Sequence, residues 1–173
     1  MTTSNDIMPG EYAPFYANYI QLAPQNVSLI TALDVSFRET FSFFSSLKEE
    51  QGNSRYAKDK WSLKEMLLHT IDTERIMAYR ALRFSRNDTT DLPGFEQDDY
   101  VVSSFADKRT LLDLLDEYNS VRKASLTLFA SFDDNVLKSV GTANGNKMSV
   151  RALGFIICGH ELHHLNIAKS RYF

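Results

Sequence analysis

The chain has 173 residues, long enough to bury a sizeable core as one domain over 1–173 without disulfides or oligomerisation. Hydrophobic residues make up 43 % and charged residues 24 %, with seven glycines and four prolines, a composition that excludes extensive disorder or low complexity. A net charge of −3 lacks the basic excess that phosphate counterion release requires, and no run approaches the roughly 20 apolar residues of a membrane span, so neither nucleic acid nor membrane is an expected partner.

The start, MTTSNDIMPG, has no basic segment followed by an apolar run, and the lone Cys158 fits a reducing compartment, so a cytoplasmic protein is expected. YAPFYANYIQLAP follows, aromatic-rich and bracketed by Pro14 and Pro24, which limit it to a short helical piece. Residues 1–25 read as an arm packed on the remainder. From about Val27 to Lys48, Ile30, Leu33, Phe37, Phe41, Phe44 and Leu47 recur at spacings of three and four, the pattern of an amphipathic helix. WSLKEM opens the second helix: Ser62 can cap, Glu65 can complete a capping box, Trp61 can staple against Met66, and the periodicity continues to about Arg86.

NDTTDLPGFEQDDYVVS, with its Pro93-Gly94 step, reads as an ordered, irregular loop long enough to be functional. Ser104 then offers a cap with Asp107 three residues on, and Leu111, Leu115, Tyr118, Ser125, Leu128 and Phe132 mark a third helix. Asn144-Gly145 inside short β-compatible runs predicts a small hairpin, after which Ser149 caps the last helix. The fold class expected is all-α: a four-helix bundle with a long connection, the N-terminal arm and a hairpin before the last helix.

The last helix carries GHELHHLNI, residues 159–167. His160, Glu161 and His164 spell H-E-x-x-H, the zinc-peptidase pattern in which two imidazoles one turn apart bind metal and the glutamate activates water. Such peptidases take a third ligand well downstream, whereas the nine residues after His164 contain no His, Asp or Glu, which argues against that reading. At about 100° per residue, His160 and His164 fall on the apolar arc of Val150, Leu153, Ile156, Ile157, Ile167 and Ala168, while His163 lies toward its edge with Gly159, Asn166 and Ser170. The second helix likewise mixes Thr70, Thr73 and Glu74 into an inward face, with His69 and Arg80 at one border. An isolated histidine on such a face is ordinarily a satisfied core residue. Three of them need partners, and a cation held by His69, His160 and His164 would supply one while leaving coordination positions open. Glu74 and Arg80 have a plainer reading as a buried ionic network.

KWSLKEMLLHTIDTERIMAYRALRFSRNDTTDLPGFEQDDYV, followed much later by RALGFIICGHELHHLNIAKSRYF, resembles the DinB/YfiT-like superfamily of four-helix metalloproteins, from about Tyr12 to Tyr172. The resemblance implies a divalent metal, nickel or zinc foremost with iron or manganese as alternatives, on His69, His160 and His164. It does not extend to the DNA polymerase that shares the DinB label. Superfamily relatives include transferases that use low-molecular-weight thiols, so the resemblance implies a small-molecule substrate, a thiol among the options.

Two expectations follow. One is a metal-dependent transferase or hydrolase whose tri-histidine site activates a thiol or water, with Glu161 and Glu74 as the candidate bases and DLPGFEQDDY at the pocket entrance. The other is a non-catalytic helical bundle in which any metal is structural. Phe155 and Leu162 fall on the far side of the last helix, so that helix is either covered all round or forms a dimer contact, and a homodimer is compatible with both expectations.

Overall fold

The structure, a computed structural model, describes residues 2–173. In chain order it holds α1 (Ala17–Leu22), α2 (Leu29–Ser45), α3 (Leu63–Ser85), α4 (Gln97–Ser104), α5 (Leu111–Ala130), α6 (Asp134–Leu137), β1 (Val140–Ala143), β2 (Asn146–Ser149) and α7 (Val150–Arg171). The four long helices α2, α3, α5 and α7 form the expected bundle. Each begins on a hydroxyl cap that accepts a hydrogen bond from the backbone three residues on: Ser28 from Thr31, Ser62 from Glu65, Thr110 from Asp113, and Ser149 from Ala152.

Both α2 and α3 pack on α5 and α7, so the two helices consecutive in sequence lie on a diagonal and the connection between them crosses one end of the bundle. This arrangement sets the inward faces of α3 and α7 against each other. One apolar cluster, with Leu33, Met77, Phe84, Leu153 and Ile156, fills one end, and another, with Phe44, Leu67, Ile71, Leu114 and Tyr118, fills the other.

Several expectations needed correction. The segment after Arg86 is not wholly irregular, since it contains α4, which packs on α3. Ser104 does not cap the third helix: Phe105 adopts a left-handed φ of 51° that stops α4, a 3₁₀ turn intervenes, and Thr110 takes the cap. Asp107 instead accepts from the Ser62 hydroxyl at 2.5 Å, tying this connection to the start of α3. On α5 the buried stripe after Ser125 continues through Phe129 rather than Leu128 and Phe132, and it includes Arg122.

The hairpin forms as expected. Asn144 and Gly145 have φ of 51° and 69°, the two positive values of a type I′ turn, which Asn-Gly accommodates. Leu92 docks on its edge, donating to the Thr142 carbonyl at 3.0 Å and accepting from Asn144 at 2.8 Å, so the loop before α4 is pinned.

In the N-terminal segment, α1 lies along α7. Gly159 makes this approach possible: a Cβ there would stand 1.7 Å from the Tyr19 carbonyl oxygen. The helix side carrying Gly159 is therefore covered rather than open. Phe155, on the side that offered a dimer contact, is fully buried within the chain.

Candidate metal centre

His69 comes from the second turn of α3, while His160 and His164 are successive turns of α7. Because α3 and α7 pack side by side, the three imidazoles meet. His160 Nε2 lies 3.0 Å from His69 Nε2 and 3.1 Å from His164 Nε2, and one ring nitrogen from each histidine falls within 4.8 Å of the others. His69 and His160 are buried, and the Trp61 ring lies over the cluster with its centroid 4.7 Å from His69 and 6.1 Å from His164. Trp61, expected only to staple the start of α3, thus forms part of the wall of the site.

Burial holds all three imidazoles in the neutral form. The His69 pKa is lowered to about 4 by desolvation; His160 and His164 are lowered well below the ordinary value by burial and then by their histidine neighbours. Neutral imidazole is the form that ligates a cation. His160 Nε2 has either one lone pair or one proton with which to meet two neighbouring nitrogens, so the two close pairs cannot both be well-directed hydrogen bonds. With metal–nitrogen bonds of about 2.0–2.1 Å, two nitrogens on one ion are roughly 2.9 Å apart at right angles and about 3.4 Å apart at the tetrahedral angle. The two short separations fall within that span, so the residues present fit a divalent ion.

His163 lies at the edge, with its ring 5.4 Å from Tyr19 and 5.1 Å from His164. The two acidic candidates lie elsewhere. Glu74 accepts from Arg122 Nε at 2.9 Å and Nη2 at 2.8 Å, and Glu161 accepts from the same Nη2 at 3.0 Å. Arg122 Nη1 donates to the Leu33 carbonyl at 2.5 Å and to the Ser36 hydroxyl at 3.3 Å, so one guanidinium on α5 reaches the other three bundle helices. Burial, and the neighbouring Glu74, push the Glu161 carboxyl well above the carboxylate range. Neither glutamate lines the cavity beside the histidines.

Arg122 was missed in the sequence, although the α5 stripe of Leu111, Leu115, Tyr118 and Ser125 has a four-then-three spacing that places position 122 inward. Arg80, expected to share a network with Glu74, is instead directed into the cavity. That cavity, about 330 Å³, runs from His69 and His160 past Thr73 and Met77 to Arg80, under Tyr16, Tyr19 and Phe95. A second cleft of about 300 Å³, with Trp61, Tyr56 and Tyr172, reaches His164 from the other side. Part of the DLPGFEQDDY segment lines the first cavity at Gly94–Gln97. Among the described residues, no helix is long and apolar enough to cross a membrane.

A sequence model of the DinB superfamily matches residues 32–168. YfiT from Bacillus subtilis, a probable metal-dependent hydrolase with an unusual four-helix bundle topology, superposes with a TM-score of 0.69 at 11% identity, over 84% of this chain and 91% of its own. The mycothiol-dependent maleylpyruvate isomerase superposes with a TM-score of 0.66 at 9% identity, over 95% of this chain and 62% of its own. At these identities the likeness is one of fold. No curated protein matches the chain.

Proposed function

Since the chain belongs to the DinB superfamily, we propose that it is a cytoplasmic metal-dependent enzyme acting on a small molecule, with His69, His160 and His164 as the metal ligands. The observation that carries this reading is the convergence of three neutral imidazoles at one end of a cavity large enough for a compact metabolite. Three soft-to-borderline nitrogen donors suit zinc or nickel, with iron or manganese as the alternatives. A divalent ion with open positions would lower the pKa of a water or thiol bound there, which suits either hydrolysis or transfer from a low-molecular-weight thiol.

The chain's own residues supply the rest. Burial keeps the imidazoles free of competing protons, and Trp61 limits solvent at the cluster. Tyr16 and Tyr19 close the cavity from the arm. Glu161 and Glu74, held by Arg122, serve to fix the helices rather than to take a proton from substrate. This separates the site from an H-E-x-x-H peptidase, which needs its glutamate beside the attacking water.

Elemental analysis of untagged protein tests the reading, with His69→Ala and His164→Ala as controls. Near one equivalent of zinc or nickel in the wild type, lost in both variants, is the expected result. Wild type that stays metal-free after reconstitution overturns it. Bound metal whose removal lowers only the melting temperature, with no thiol-transfer or hydrolytic turnover in a substrate panel, would favour the structural bundle instead. Light scattering of the same samples tests the proposed homodimer.

A further inference from the structure

Two guanidiniums are buried in this bundle, and they are treated differently. Arg122, 1 % exposed, is paired with the Glu74 and Glu161 carboxyl groups. Arg80, 3 % exposed, forms no ion pair with any described residue. Its Nη2 donates to the Pro93 carbonyl at 2.9 Å, its Nη1 approaches the Met77 sulfur at 3.9 Å, and the neutral Tyr16 phenol lies beside the guanidinium. A guanidinium carries five N–H donors, so donors remain over beside these neutral neighbours, and a desolvated cation without a counter-ion is costly. The unused side is directed into the cavity that begins at His69 and His160.

Thr73 gives a second, independent sign. Its hydroxyl is buried in the wall of the same cavity and has no hydrogen-bond partner. Other hydroxyls on α3 are satisfied within the helix: Thr70 donates to the Leu67 carbonyl and Ser85 to the Leu82 carbonyl, each at 2.7 Å. His69, Thr73, Met77 and Arg80 form one stripe of the helix, about 16 Å long at about 1.5 Å per residue. The stripe therefore offers, in order, the histidine cluster, an unpartnered hydroxyl, an apolar step and a cation without a counter-ion.

We infer that Arg80 and Thr73 form a carboxylate-binding subsite, and that the substrate is a small monoanionic acid with an apolar body that reaches from Arg80 to the histidine cluster. Arg80 holds the carboxylate through its planar donor fork, and Thr73 donates to a polar atom along the chain. Met77, Tyr19, Phe95 and Ile156 cover the apolar part. A carboxylate fits better than a phosphate monoester, because a single guanidinium balances one charge and the other charged residue lining the cavity, Glu96, is acidic rather than a second cation. The inference rests on reading the cluster as a metal site only for where the reaction occurs.

Titration calorimetry with 3-phenylpropionate, 3-phenylpropanamide and phenyl phosphate tests it, on zinc-loaded and metal-free wild type, Arg80→Gln and Arg80→Lys. The acid is expected to bind at least tenfold more tightly than the amide, in metal-free protein as well, since a metal ion can itself attract a carboxylate. Arg80→Gln should abolish that preference, and Arg80→Lys should retain part of it. Equal binding of acid and amide by metal-free wild type overturns the inference without any variant. It also fails if phenyl phosphate binds more tightly than the acid, or if Arg80→Gln keeps the preference. Arg80-dependent binding by a chain that takes up no metal would leave the subsite standing and remove the metal reading; metal uptake without it would do the reverse.

Discussion

Replacing Arg122 with alanine should be among the most damaging single changes in this chain. Its guanidinium makes three hydrogen bonds to Glu74 and Glu161 and two more to the Leu33 carbonyl and the Ser36 hydroxyl, all in the bundle interior. Truncation leaves two buried carboxyl groups without a cation, and breaking a buried pair in this way costs roughly 3–5 kcal/mol. The space vacated between four helices adds to the loss, so the upper half of that range is expected. At about 2–4 °C per kcal/mol for a chain of this size, the melting temperature should fall by roughly 10–20 °C. Urea unfolding at pH 7 measures it. A variant within about 1 kcal/mol of wild type would refute the assignment of Arg122 as the hub that holds Glu74 and Glu161 in the bundle interior. Adding Glu74→Gln and Glu161→Gln to Arg122→Met should recover much of the loss, because no uncompensated charge is then left behind.

Gly159→Ala sets helix propensity against sterics: alanine gains about 1 kcal/mol in a helix interior, yet its Cβ would meet the Tyr19 carbonyl oxygen. Backbone cannot yield as a side-chain tip can, so net destabilisation of about 1–3 kcal/mol is expected, with limited proteolysis cutting residues 1–25 faster than in wild type. In metal-free protein, the His69 pKa of about 4 lies below the unfolded 6.5, so the unfolded chain takes up the proton first and stability falls as pH drops from 6.5 toward 4. That single group is worth roughly 3 kcal/mol over the window, and His69→Phe should flatten the corresponding part of the urea-unfolding profile. Glu161→Gln should leave metal content unchanged by elemental analysis and turnover within about twofold; loss of turnover with metal retained would reinstate Glu161 as the base.

The local elements were legible because their signals are local. Ser62 with Glu65, Ser149 before Val150, and Asn144-Gly145 each act within a few residues, and each does in the structure what its pattern predicts. Where a local signal had a rival nearby, it misled: Ser104 matched a cap, but Phe105 in a left-handed conformation moved the helix start to Thr110. The histidines could be picked out because helical spacing puts His160 and His164 on one apolar face and because His69 interrupts another. Arg122 escaped because a charged residue on an inward stripe was passed over, although the spacing itself pointed there.

The sequence alone therefore determined which residues turn inward, since periodicity along a helix is a property of a single segment. Which inward faces meet was decided by the tertiary structure. The diagonal placement of α2 and α3 brings His69 to within 3.0 Å of His160, 91 residues away, and draws Glu74 and Glu161 together on Arg122. It also gives different surroundings to Arg80 and Glu74, two residues of similar apparent character about 1.7 turns apart on α3. One becomes part of a neutralised core network and the other a cation without a counter-ion facing a cavity, because the neighbours that set their charge balance come from other helices and from the loop before α4.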